Sequence, residues 1–298
     1  MLPPFKVLDP TSAVEAVKEL ARLGEQAKIY GGGTELLVLL RHNLVQTDYL
    51  LNIKPIPELG KLEYQDGTLS IGATVTHRRL ETDRRVREEL PMLALAESQV
   101  ANIRVRSQGT IGGNLCFNDP HSDPATALLI YNAEVRIQGS RGVRQIPLQE
   151  FLCGMYATAL EPEELLLSIE VTSLPPHYGS SYLRIHRLQR PTLGVAVAAA
   201  RKNGAFQDVR IAVGCVGPNA LRLTDLERKI RDSDPDDSPR IIEEAKPYLK
   251  TVLAPIDDLL GSAEYKIHIT RVLLERALRQ AQQSTHGRQD HENGCCPE

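Results

Sequence analysis

Residues 30–36 read Tyr30-Gly31-Gly32-Gly33-Thr34-Glu35-Leu36, and residues 109–115 read Gly109-Thr110-Ile111-Gly112-Gly113-Asn114-Leu115. The first stretch follows the apolar run AKIY and precedes TELLVLLR, so it reads as a turn between a strand and a helix. Glycines let the backbone turn tightly and approach a ligand closely, and the start of the following helix offers N–H groups that suit phosphate. The second stretch adds a threonine hydroxyl and an asparagine amide to the same freedom. Neither loop is a G-x-G-x-x-G fingerprint, and neither has the Lys of a P-loop. Taken alone, the first is read equally well as a plain tight turn. Together they point to one doubly charged anion held mainly by main-chain N–H groups, and so to a dinucleotide.

Outward from these loops, the first 55 residues read as a small α/β unit. Ser12 and Glu15 suit a capping box ahead of a helix that Gly24 ends. YLLNI at 49–53 reads as a buried strand. Residues 56–173 are richer in strand signals: Asp66-Gly67 and the segment around GSRG each lie between alternating runs, as hairpins require. PMLALAESQVA at 91–101 reads as a helix, ATALLIY at 125–131 as a buried helix or strand, and LLLSIEV at 165–171 as a strand. SLPPHYGSS at 173–181 reads as a linker. Beyond it, Asn203-Gly204 lies between two long apolar runs, a strong hairpin signal. A long helix is expected from about Ser262. This makes 178–281 an α+β unit, and the polar residues 282–298 are expected to be a disordered tail.

Composition removes several function classes. The chain has 298 residues with 35 basic and 38 acidic side chains, a net charge of −3, which argues against a bulk basic field for nucleic acid. Aromatics are 4% and Trp is absent, so base-stacking platforms are scarce. The most apolar run, GVAVAAA at 194–200, is far short of a transmembrane helix. The 5 cysteines, Cys116, Cys153, Cys215, Cys295 and Cys296, have no C-x-x-C spacing, so no zinc ribbon or local iron–sulfur site is encoded. That odd count, with no secretory leader in MLPPFKV, leads us to expect a reducing, cytoplasmic setting.

GGGTELL at 31–37, followed by GTIGGNL at 109–115 with Pro120, Asp123 and Pro124 beyond it, resembles the FAD-binding medium subunit of molybdenum hydroxylases. That family includes the carbon monoxide dehydrogenase medium chain and the flavin domain of xanthine dehydrogenase. SIGATVTHRRL at 70–80, PEELLLSIEV at 162–171 and PIDDLLGSAEYKIHITRVLLERAL at 255–278 carry the resemblance along nearly the whole chain. It implies an α+β fold: a two-subdomain, vanillyl-alcohol-oxidase-like (PCMH-type) FAD domain, then a C-terminal α+β domain of the carbon monoxide dehydrogenase flavoprotein type. It also implies FAD as cofactor. Ile29, Tyr30, Gly31, Gly32, Gly33, Thr34, Glu35 and Leu36 would wrap the pyrophosphate. Thr110, Ile111, Gly112, Gly113 and Asn114 would complete the cradle. Asp123 would accept from a cofactor hydroxyl, and Leu166 would lie near the isoalloxazine.

The same resemblance implies an electron-transfer role with no catalytic acid or base and no metal on this chain. A large molybdopterin subunit and a small subunit with two [2Fe–2S] clusters would be its partners, in a dimer of heterotrimers. NAD, a quinone or another carrier would accept the electrons. A self-contained FAD reductase of the same flavin fold and a non-catalytic nucleotide-binding scaffold are the competing readings. The sequence departs from the family at Val100, where an aromatic is frequent, and at Leu260, where an Arg is frequent. Arg184, Arg187 and Arg190 are candidates to flank the flavin ring.

Blander readings stand beside some of these. Asp123 also suits a helix start. Cys116, just after the second loop, is a candidate to lie near the flavin, and the blander reading is a buried, inert small residue. His77 and His121 invite a catalytic reading, but His77 suits a helix start and no Ser or Asp partner is identifiable. Arg104 and Arg106 suit either phosphate or ion pairing. The run Asp232, Asp234, Asp236, Asp237 and Glu243 fails as a calcium loop because Asp237 stands where Gly is needed.

Overall fold

The computed structural model describes residues 2–187 and 190–292, with side chains described outside 186–187 and 285–292. The first unit holds β1 (Lys6–Leu8), α1 (Ala13–Leu23), β2 (Ala27–Tyr30), α2 (Leu36–Arg41) and β3 (Tyr49–Asn52). Its strands form a parallel sheet in the order β1-β3-β2. The α1 start is only half a capping box. Ser12 Oγ accepts from the Glu15 N–H at 3.2 Å, but the Glu15 carboxylate turns to the Thr11 N–H and hydroxyl, each at 2.7 Å. Ala16, Val17 and Leu20 bury one face of α1 against Leu51, Ile53 and Ile56.

The second unit opens with the hairpin β4 (Leu62–Gln65) and β5 (Thr68–Gly72). Asp66 at φ 51 and Gly67 at φ 79 make the two-residue turn read from the sequence. Six helices follow: α3 (His77–Thr82), α4 (Arg84–Glu89), α5 (Pro91–Ser98), α6 (Ile103–Gln108), α7 (Ile111–Phe117) and α8 (Asp123–Ile130). Then come β6 (Glu134–Gly139), β7 (Gly142–Pro147), α9 (Leu148–Phe151), the short pair β8 (Leu152–Gly154) and β9 (Ala157–Thr158), and β10 (Leu165–Thr172). The sheet order is β4-β5-β10-β6-β7, with β10 antiparallel to both neighbours and its register shifting between Leu166 and Ser168. The 125–131 segment, open between helix and strand by sequence, is helical in α8, whose residues from Asp123 to Ile130 are all buried.

The third unit is an antiparallel sheet, β11 (Tyr178–Arg187), β12 (Arg190–Lys202), β13 (Ala205–Gly214) and β14 (Leu221–Arg222), in that order. Around it lie α10 (Thr224–Ile230), α11 (Ser238–Glu244), α12 (Lys246–Leu253) and α13 (Ala263–Glu292). Strand β11 starts at Tyr178, inside the segment read as a linker. Helix α13 continues past residue 281, and Ser284 Oγ accepts from the Ser180 N–H at 3.1 Å. Cys295 and Cys296 lie outside the described residues.

The apolar run of β12 is buried on both faces, and its residues are sorted by size. Ala196, Ala198 and Ala200 pack into the core of the second unit, while Val195, Val197 and Ala199 join the core built with α13. Side chains alternate across a strand, so this V-A-V-A pattern puts small residues towards α8. A Cβ on Gly214 of β13 would lie 2.0 Å from Thr126 Oγ1, which shows how closely α8 approaches. The third unit is thus fused to the second through a shared core.

Candidate functional site

Both glycine loops line one cavity of about 540 Å³. They meet there back to back. A Cβ on Gly32 would lie 2.3 Å from the Gln108 carbonyl oxygen and 2.7 Å from Gly109 Cα, and one on Gly112 would lie 2.6 Å from Ala73 Cβ. Gly33 turns the chain at φ 73, with the Tyr30 ring packed where its side chain would be. The glycines are therefore required by close approach at Gly32 and Gly112 and by backbone conformation at Gly33.

The two loops differ in what they offer. The successive N–H groups of Gly32, Gly33, Thr34, Glu35 and Leu36 make no hydrogen bond to another described residue. Consecutive unpaired amides around a left-handed turn form an anion-binding concavity. The second loop, expected to supply amides too, spends all but that of Thr110 on acceptors within the protein. Ile111 donates to the Val75 carbonyl, Gly112 to the Ala73 carbonyl, Gly113 to Thr110 Oγ1 and Asn114 to the Thr110 carbonyl. These bonds tie the start of α7 to the segment after β5, so this loop contributes proximity and side chains. The Asn114 carbonyl oxygen accepts from Ser122 Oγ at 2.6 Å, which leaves its NH2 group as a donor.

Of the residues singled out in the sequence, Ile29, Gly31 to Leu36, Thr110, Gly112, Gly113, Asn114, Asp123 and Leu166 line this cavity. Tyr30 and Ile111 do not. The Tyr30 hydroxyl accepts from Lys54 Nζ at 3.1 Å, and Ile111 is core. Arg190 lines the cavity and lies 3.5 Å from Asp119. The Arg187 side chain lies outside the described residues. Arg106 is bound to Glu81 and to the Val100 carbonyl, away from the cavity.

Asp123 starts α8 but does not cap it; the preceding residue, Ser122, holds the cap position. Its carboxylate is turned to β11 instead, accepting from Tyr182 Oη at 2.5 Å and from Arg184 Nη1 at 2.6 Å. Arg184 also donates to the Gln99 carbonyl at 2.7 Å, so it joins three elements rather than projecting into the cavity. Burial pushes the Asp123 carboxyl up to about 6, against the pull of Arg184 and Tyr182, and the Glu97 charge adds to the rise. Burial pushes the Tyr182 hydroxyl well above its ordinary range.

Several cavity residues carry no signal in the local sequence. His77 Nδ1 lies 2.6 Å from Glu97 Oε2, both side chains being buried. No motif pairs these residues, because they sit on α3 and α5 and only helix packing joins them. Glu35 is raised by burial and then by the Asp119 charge. At Asp119 burial works the other way from its partners, and hydrogen bonds from His121 with the Arg190 charge hold the carboxyl below its usual range. His121, with Asp119 Oδ1 at 3.4 Å and Asp258 Oδ2 at 3.9 Å, also lines the wall. Cys116 lines it too, and burial pushes its thiol up to about 12. Among the described residues no His, Cys, Asp and Glu cluster is arranged to hold a metal, and no helix is long and apolar enough to cross a membrane.

Comparison with known proteins bears directly on this cavity. A family model described as the FAD-binding domain in molybdopterin dehydrogenase matches residues 3–173. A second, the carbon monoxide dehydrogenase flavoprotein C-terminal domain, matches residues 183–281. The carbon monoxide dehydrogenase medium chain of Hydrogenophaga pseudoflava is 31% identical over 284 residues, covering 94% of this chain and 98% of that one. The xanthine dehydrogenase FAD-binding subunit of Escherichia coli O157:H7 is 29% identical over 271 residues, covering 88% and 91%. Among solved structures, carbon monoxide dehydrogenase from Hydrogenophaga pseudoflava superimposes with a TM-score of 0.90 at 31% identity, covering 95% of this chain and 99% of that one.

Proposed function

This chain belongs to the family of FAD-binding domains in molybdopterin dehydrogenases, and from that premise we propose that it is the electron-relaying flavin subunit of a molybdenum hydroxylase. FAD is its cofactor, and it is an oxidoreductase subunit of the carbon monoxide and xanthine dehydrogenase type. The observation that carries the assignment of the site is the run of free amides from Gly32 to Leu36 facing a cavity walled by the second glycine loop. Such a run needs an anion, and a diphosphate matches a concavity of adjacent N–H groups.

The residues present fit FAD. The Gly32 to Leu36 amides would hold the diphosphate, with Ile29, Tyr30 and Gly31 shaping the loop from behind. Thr110, Ile111, Gly112 and Gly113 would close the other side through proximity, and the Asn114 side chain would donate. Asp123 keeps lone pairs beyond the two already used, so it would accept from a cofactor hydroxyl. Leu166, buried on β10 at the register shift, would give an apolar wall to the ring. When bound, FAD supplies a carrier that exchanges electrons singly or in pairs. The protein's own residues bind it, orient it and exclude water, and none acts as an acid or base.

In this reading a small partner subunit with two [2Fe–2S] clusters delivers electrons, and a large molybdopterin subunit oxidises the substrate. NAD, a quinone or another carrier receives the electrons, the assembly is a dimer of heterotrimers, and its location is the cytoplasm. The lack of C-x-x-C spacing among the 5 cysteines fits metal centres carried by partners. The test is purification of the full chain together with its complex. Yellow protein that releases FAD, with iron and molybdenum on co-purifying chains, is the expected result. A colourless chain that takes up no FAD overturns the reading.

A further inference from the structure

Between α5 and α6 the chain makes a short link, Gln99-Val100-Ala101-Asn102, and its two middle residues line the cavity. Local bonds fix only its ends. The Gln99 and Val100 N–H groups donate to the Ala96 and Glu97 carbonyls in the last turn of α5. Asn102 Oδ1 accepts from the N–H groups of Arg104 and Val105 and so starts α6. Between these ends Ala101 stands at φ 39, a left-handed conformation that a residue with a Cβ rarely adopts. Such a conformation persists only where its surroundings over-determine it.

Two arginine side chains do this. Arg184 Nη1, from β11, donates both to the Gln99 carbonyl at 2.7 Å and to Asp123 Oδ2 at 2.6 Å. Arg106 Nη1 donates to the Val100 carbonyl at 3.0 Å, while its Nε donates to Glu81 Oε2 at 2.9 Å. Both side chains are largely buried, and each is anchored by a carboxylate. A planar guanidinium fixed in this way holds a carbonyl more rigidly than a flexible ammonium would. Neither arginine is among the residues lining the cavity, so each acts on it through the link.

The link walls an open end of the cavity. Ala101 is exposed while lining it, whereas Ile53 and Leu165, which also line it, are buried in the core of the first unit. The isoalloxazine must exchange electrons with partners and needs an open end, and adenine does not. Asp123, the acceptor for a cofactor hydroxyl in the reading above, is held by the same nitrogen as Gln99.

We infer that Arg184 and Arg106 are positioning residues that hold the Gln99–Ala101 link as a wall for the isoalloxazine half of the bound cofactor. This rests on the FAD reading.

The test compares wild type, Arg184→Lys and Arg106→Gln as full chains freed of flavin. Arg184→Lys keeps a positive charge for Asp123 and gives up the planar fork; Arg106→Gln reaches the link without involving Asp123. Calorimetry reads affinities for FAD and for ADP, which has the adenine and diphosphate but no isoalloxazine. The visible spectrum of bound FAD and thermal unfolding are read alongside. Both variants should lose about tenfold in FAD affinity and leave ADP affinity unchanged, because the wall is no longer pre-organised. The shoulder on the visible flavin band, a mark of a ring held rigidly, should flatten. Equal losses for ADP and FAD, unchanged FAD affinity in either folded variant, or unfolding of both variants would each overturn the inference. Failure of the wild type to bind FAD would instead sink the cofactor reading on which it rests.

Discussion

Arg184 reaches from β11 to place Nη1 2.6 Å from Oδ2 of Asp123, in the wall of the cavity that the glycine loops line. One ion pair thereby ties the C-terminal sheet to the first residue of α8. Tyr182, two residues earlier on the same face of β11, takes the other carboxylate oxygen. Residues of β11 therefore hold this part of the cavity wall, and a buried ion pair joins the two family segments there.

Removing one partner of this pair leaves a buried charge exposed to no compensation. We expect Arg184→Met to lower unfolding free energy by about 3–5 kcal/mol. Asp123→Asn in the same background should return part of it. Urea unfolding of the double-mutant cycle checks this, and additive losses would contradict a direct coupling.

Asp123 should also make stability depend on pH in a stated direction. Its ordinary value is 3.8 and burial raises it to about 6 in the folded chain, so the folded chain holds the extra proton between those values. The stability this contributes is full below the ordinary value and is lost as pH rises through about 6. The unfolding free energy of the wild type, relative to Asp123→Asn, should fall by about 2 kcal/mol between pH 4 and pH 7. Parallel curves for the two proteins would refute it.

Gly32→Ala tests the meeting of the loops. The new Cβ would lie 2.3 Å from the Gln108 carbonyl oxygen, a main-chain atom, so the loops must part. The expected results are a stability loss of about 1–3 kcal/mol and a fall in FAD affinity of at least about tenfold. Flavin absorbance of the purified variant and its urea midpoint report the two effects. A variant that is as yellow as wild type would show that the close approach is not needed for the cofactor.

Thiol reactivity should separate the described cysteines. Cys153 is exposed, whereas Cys215 is buried and Cys116 is pushed up to about 12 by burial. Alkylation of the native chain at neutral pH followed by peptide mass analysis should modify Cys153 and spare Cys116 and Cys215. Labelling of Cys116 at a comparable rate would mean that access from the cavity, not the raised thiol, sets its reactivity.

Much of the fold was legible because its signals are local. Asp66-Gly67 and Asn203-Gly204 adopt the positive φ values that such hairpin turns need. The family resemblance, carried by contiguous motifs, led to the cofactor and the fold that the comparisons support. Other features were not legible because they depend on packing between distant elements. Nothing near His77 announces Glu97, and nothing near Asp123 announces Tyr182 and Arg184 from another domain. The run GVAVAAA reads only as apolar until β12 is seen buried on two unlike faces.

By itself, the sequence determined the elements and their class: two glycine loops in strand-and-helix settings, and a family membership that brings FAD with it. The tertiary structure alone decided which groups serve the site. The amides of the first loop, from Gly32 to Leu36, meet no hydrogen-bond partner among the described residues, because Gly33 turns the chain at a positive φ. In the second, the Gly112 and Ile111 amides are taken by the Ala73 and Val75 carbonyls. Whether an N–H is available depends on which carbonyl packing brings within reach, and that is set by contacts between elements far apart along the chain.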